Sequence, residues 1–180
     1  MDQPITLTPL LCLNCQAAIP AQIDERAWVC GQCGQGMALD QQRGLIPIQV
    51  YYSANVPVSE PGKPYWVTEG QVTLRRETYR SNSQSAREAE QFWGQPRRFF
   101  IPAYELPLDA MLSQAVKLLA QQPTLQAGPA ARFEPVILAA EDIQPTAEFV
   151  VMAIEAARKD MLKNVDFQVK LGAPALWILP

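Results

Sequence analysis

Two pairs of cysteines, Cys12-Leu13-Asn14-Cys15 and Cys30-Gly31-Gln32-Cys33, constrain this chain more than any other feature. They are all four of its cysteines. Their spacing is C-x2-C-x14-C-x2-C. A C-x-x-C turn places two sulfurs on one side of a single ion, and a second turn completes a tetrahedron. Thiolate is a favoured ligand of structural zinc, so Cys12, Cys15, Cys30 and Cys33 are expected to hold one structural Zn2+ per chain. Gly31, Gly34 and Gly36 suit knuckle backbones, where a residue after the second cysteine often needs positive φ. The first pair is followed by Gln16 and lacks that glycine. Disulfide pairing, dithiol chemistry and a rubredoxin-like iron site are the alternatives. The start does not read as a leader, so a reducing compartment is expected, and a redox C-x-x-C is usually single.

The module from about Leu11 to Leu39 resembles a zinc ribbon. The resemblance implies two knuckles, short β-strands and a structural metal, without implying one function. Between the pairs, Ile19, Ile23, Trp28 and Val29 are expected to form a short hairpin. The polar run 40–44 reads as a hinge. The division expected is a zinc-ribbon module at 1–40 and an α+β domain at 45–180. The latter is a mixed α/β unit of about six strands and three helices.

Residues 1–10 read as an extended lead-in. Strands are expected at 45–52, 65–79 and 97–104, within 133–139 at Pro135-Val136-Ile137-Leu138, and as a terminal hairpin at 165–171 and 176–179. Glu69-Gly70 reads as a turn or bulge. Ser85-Ala86-Arg87-Glu88 matches a capping box and opens a helix at about 86–93. A second helix is expected to about residue 122, stopped by Pro123. A third runs from Pro145 to about residue 163. The third is apolar around most of its circumference and is expected to be the more buried. Glu155 and Lys159 are placed as an i, i+4 pair on its wet side.

Histidine is absent from the chain, which removes the commonest general base and His-ligated catalytic zinc. Charge is segregated: residues 1–60 carry net −3, 61–100 net +3, and 101–180 net −3. Arg75, Arg76, Arg80, Arg97 and Arg98, with Phe99 and Phe100, form a candidate phosphate or nucleic-acid patch. The simpler reading is strand-edge charge beside core phenylalanines. The acidic cysteine module argues against a nucleic-acid ribbon. Glu141-Asp142 and Glu105/Asp109 read as helix N-terminal acids. Tyr51, Tyr52, Tyr65 and Trp66 flank a proline-rich loop and are candidates for partner binding.

The start lacks a leader-like pattern, and there is no run of eighteen apolar residues. The expectation is therefore a cytoplasmic, non-enzymatic interaction or adaptor protein, an accessory subunit with a protein partner. The alternative is nucleic-acid binding through the arginine patch.

Overall fold

The structure, a computed structural model, describes residues 9–79 and 83–180. Arg80 and residues 1–8 of the lead-in lie outside the described residues. Among those described, the architecture is mixed α/β, with two sheets of eight strands in all and three α-helices.

The first sheet is built around the cysteines. β1 (Ala27–Val29), β2 (Gly36–Asp40) and β3 (Gly44–Ile48) pair antiparallel in that order. Alternation along these strands gives the sheet two different faces. Trp28, Met37, Leu39 and Leu45 gather with Cys12 and Cys30 in one apolar cluster. Ala27, Ala38, Ile46 and Ile48 belong instead to the main core. The Arg26 amide also donates to the Val136 carbonyl at 2.7 Å. The cysteine-bearing sheet is therefore docked on the rest of the chain.

Two expectations about this region are corrected. The residues between the cysteine pairs do not form a hairpin with one another. β1 pairs forward with β2 across the second knuckle, Val29 opposite Gly36, while Ile23 stands 96% exposed. The run read as a hinge is the turn of the β2–β3 hairpin, with Asp40 opposite Gly44. Asp40 Oδ1 accepts from the amides of Gln42 and Arg43 at 2.9 and 2.8 Å, and Gly44 takes φ 74°. Hydrogen bonding from the Arg43 side chain, then from its amide, holds the Asp40 carboxyl down to about 2. The expected strand at 45–52 is accordingly divided: its first half is β3, and its second half, β4 (Val50–Tyr52), joins the other sheet.

That second sheet is organised on β5 (Lys63–Thr78), a strand of 16 residues. β6 (Arg97–Pro102) pairs antiparallel with it from Tyr65 to Gly70. β8 (Ala175–Leu179) pairs antiparallel with Lys63–Val67 and parallel with β4. β7 (Leu162–Leu171) pairs antiparallel with the stretch from Gly70 to Thr78. Gly70 faces Arg97 of β6 and Leu171 of β7 at once, so β6 and β7 lie on opposite edges. β7 and β8 thus share one edge of β5, as a single line broken at 172–174. They are not the hairpin expected; they do not pair with each other because both pair with β5. Gly70 is neither turn nor bulge. A Cβ there would come within 2.7 Å of Phe99 and Leu171, so the position is small for packing.

α1 (Ser83–Trp93) begins before the Ser85 box, which places Ser85 inside the helix. α2 (Leu108–Ala120) packs on β6, and α3 (Ile143–Ala156) on β6, β7 and α2. Their apolar faces cover Trp66, Phe99, Ile101 and Ile178, all fully buried. The opposite face of the sheet carries a smaller cluster of Tyr65, Val67, Phe100 and Leu179 with Tyr104. The stretch 133–139 is not a strand. Its backbone is shared among separate neighbours: Glu134 N donates to Gly62, Ile137 N to Ala103, and Val136 accepts from Arg26.

α3 stops at Ala156, short of residue 163, and Phe149 and Met152 on it are exposed. Glu155 is the largest departure. It is fully buried, not wet, and does not pair with Lys159. Its Oε1 accepts from Trp93 Nε1 at 2.7 Å and from Arg158 Nε at 2.8 Å. Its Oε2 lies 2.5 Å from Arg76 Nε, an ion pair without hydrogen-bond alignment. Arg76 also grips Asp160 with two bonds of 2.8 Å, which lowers the pKa of that carboxyl. Two acids and two arginines balance, joining β5, α1 and the end of α3. Removing one member strands the others' charges in a dry site. Glu155→Ala is therefore expected to cost about 3–5 kcal/mol in urea unfolding. A loss within the roughly 0.5 kcal/mol of an ordinary surface substitution would contradict this placement.

Candidate metal centre

The two knuckles are built alike. Cys12 N donates to Ala17 O at 2.8 Å, and Cys30 N to Gln35 O at 2.9 Å. Gln16 N closes on Cys12 O at 3.0 Å, and Gly34 N on Cys30 O at 2.9 Å. The residue after each second cysteine takes positive φ, 62° at Gln16 and 75° at Gly34. The missing glycine of the first knuckle is thus met by a glutamine in the left-handed region. Its side chain returns a bond from Nε2 to Cys12 O at 3.2 Å.

These turns bring the four thiols together. All four sulfurs lie within 4.8 Å of one another, with Cys12–Cys33 and Cys15–Cys30 each 3.5 Å apart. The cysteines are free, not joined as disulfides. A tetrahedral ion with bonds of about 2.3 Å to sulfur needs sulfurs about 3.8 Å apart, so the set fits one ion. Cys12 and Cys30 are buried, and Cys15 and Cys33 are exposed at the rim.

The surroundings favour thiolate at two positions. The Gln35 amide and the Asn14 side chain hold the Cys33 thiol down to about 6. Backbone amides of Cys33 and Gln32 lower Cys30. At Cys15 the Ala17 amide pulls down, but burial and the three neighbouring sulfurs push the thiol up to about 12. Negative charge crowded on four sulfurs is what a bound cation relieves. The Asn14 side chain and the amides of Gln32, Cys33 and Gln35 support the ligands, and Met37 Sδ receives the Leu13 amide at 3.4 Å. Asn14 lies between two ligands in the sequence, which is the signal that could have singled it out; nothing local marks Met37.

The candidate partner residues are dispersed. Tyr65 is buried, with its hydroxyl beside Tyr104 and Gln114, and Trp66 is fully buried, donating to Leu138 O at 2.8 Å. Neither offers surface to a partner, because the start of β5 is covered on both faces. Tyr51 is partly exposed and stacks on Trp177 at 4.9 Å, while Tyr52 is half-buried against Phe133. The arginine patch is taken apart in the same way. Arg76 is in the buried ion cluster, Arg97 lies over the Phe92 ring at 4.0 Å, and Arg98 is 3.8 Å from Glu69. Arg75 is exposed, opposite Asp166 in the β5–β7 register. Asp109 lies in the first turn of α2, and Glu141-Asp142 lie in the 3₁₀ turn that leads into α3.

No family model matches the chain, and neither a curated protein nor a solved structure is significantly similar to it. Among the described residues, no helix is long and apolar enough to cross a membrane.

Gly34 and Gly31 make a controlled pair for this geometry. A Cβ meets nothing within 4 Å at either position, but only Gly34 has positive φ. Gly34→Ala is expected to destabilise the metal-loaded chain by about 1–2 kcal/mol through backbone strain alone. Gly31→Ala should stay within about 0.5 kcal/mol. Equal effects in chemical denaturation would contradict the knuckle conformation.

Proposed function

We propose that this chain is a non-enzymatic, cytoplasmic interaction protein, an accessory subunit of a larger assembly stabilised by one structural zinc. The observation that carries the reading is the donor set. Four thiol sulfurs of one chain lie within 4.8 Å of one another, and a tetrahedral ion held by all four would have no coordination position left for water or substrate. Zinc is the ion favoured by four sulfur ligands on ribbon knuckles. The absence of histidine from the chain and the acidic charge around the ribbon point the same way. Phe149 and Met152 add exposed apolar surface on a helix whose inner face is already buried. The nucleic-acid alternative is the weaker reading, since Arg76 is held in a buried ion cluster and Arg97 bonds to Phe92 O, which leaves Arg75 and Arg98 at the surface.

Affinity capture of the tagged full chain from its native cytoplasm, with bound metal quantified and nuclease treatment in parallel, tests this. The expected result is near one zinc per chain and a stoichiometric protein partner that survives nuclease. A nuclease-sensitive haul would favour the nucleic-acid reading. A chain purified without metal, or one that binds no partner, would overturn the proposal.

A further inference from the structure

β5 is longer than the strand beside it. β6 covers one edge only as far as Gly70, while β7 and β8 cover the other along most of its length. Beyond Gly70 no strand among the described residues pairs with the β6-side edge. The direction of the backbone groups there follows from alternation. Pro64 O accepts from Ala103 N, on the β6 side, and Glu69 O accepts from Gly172 N, on the opposite side. Even-numbered residues therefore turn their N–H and C=O toward β6. Past the end of β6, Val72, Leu74 and Arg76 turn theirs toward an edge with which no strand among the described residues pairs.

A cleft of about 560 Å3 lies at this edge, between β5 and α1. Consecutive residues of β5 from Gln71 to Leu74 line it, as expected where a strand presents its backbone. Ala86, Ala89 and Trp93 of α1 form the other wall. A helix covers such an edge without satisfying it, because its own N–H and C=O groups are already paired along its axis. Only an extended backbone can supply donors and acceptors at the right spacing.

We propose that this cleft binds an extended peptide segment of a protein partner as an added strand on β5, in line with β6. The inference rests on the interaction-protein reading and names its docking site. The peptide's alternate side chains meet different surroundings. Those on one face meet Ala86, Ala89 and Trp93, whose two alanines leave room for apolar side chains. Those on the other lie beside Gln71, Thr73 and Arg75, all exposed. The segment expected is short, alternately apolar and polar, and free of proline at its pairing positions.

Random nonapeptides displayed on phage, selected on the zinc-loaded full chain, provide the probe. The selected peptide is then followed by residue-resolved amide exchange. In the free chain the amides of Val72, Leu74 and Arg76 should exchange fast, and those of Thr73 and Arg75, which face β7, slowly. The peptide should slow the first three and leave the other two unchanged. Ala86→Trp, at an exposed position lining the cleft, should weaken binding by about tenfold or more without lowering the melting temperature. Several results would overturn the proposal: no enriched peptide, protection elsewhere, full affinity in Ala86→Trp, or protection of the three amides that grows with protein concentration. The last would assign the edge to a second copy of the chain. If Ala86→Trp still captures the native partner, this site fails while the adaptor reading stands.

Discussion

Pleating obliges alternate residues of a strand to face opposite ways, and the ribbon sheet uses both directions. Trp28, Met37 and Leu45 close over the cysteines, while their neighbours Ala27, Ala38 and Ile46 enter the main core. The same three strands therefore roof the cysteine cluster and wall the larger domain. The small side chains of Ala27 and Ala38 let the sheet approach closely. Gly36 serves the same end, since a Cβ there would collide with the Val50 side chain. The clustered thiols on one side and apolar burial on the other thus act on one element. An ion held by the sulfurs would also hold a wall of the core in place.

The second sheet depends on β5 in a comparable way. It carries β6, β7 and β8, buries Trp66, and sends Arg76 into a balanced cluster with Glu155, Asp160 and Arg158. Such a cluster gains little over a packed apolar one, but it penalises any arrangement that leaves a member unpaired. It fixes where α3 ends against β5. The length that lets β5 reach these partners also carries it past the end of β6, leaving an edge for α1 to cover.

What could be read from the sequence was what is local. The cysteine spacing specifies two turns, and each knuckle closes with bonds among neighbouring residues. Most helices and strands were legible from their period. The errors lie where partners are distant in the chain. The β7 and β8 segments look like a hairpin by spacing, yet both are captured by β5. Glu155 reads as a solvated helix residue until Trp93 and Arg76 arrive from other elements. The run 40–44 has the composition of a hinge, and a tight turn has the same one; Asp40's bonds to the Gln42 and Arg43 amides decide between them. Tyr65 and Trp66 flank prolines as partner-binding aromatics do, but the strand they start is buried on both faces.

The most direct test of this account is amide exchange on the full chain before and after a chelator removes its metal. If the ribbon sheet is a wall of the core, metal loss should release protection at Trp66 and Val67 of β5 together with β1 and β2. If β5 keeps its protection while only the cysteine module exchanges freely, the ribbon is an independent appendage and the account is wrong.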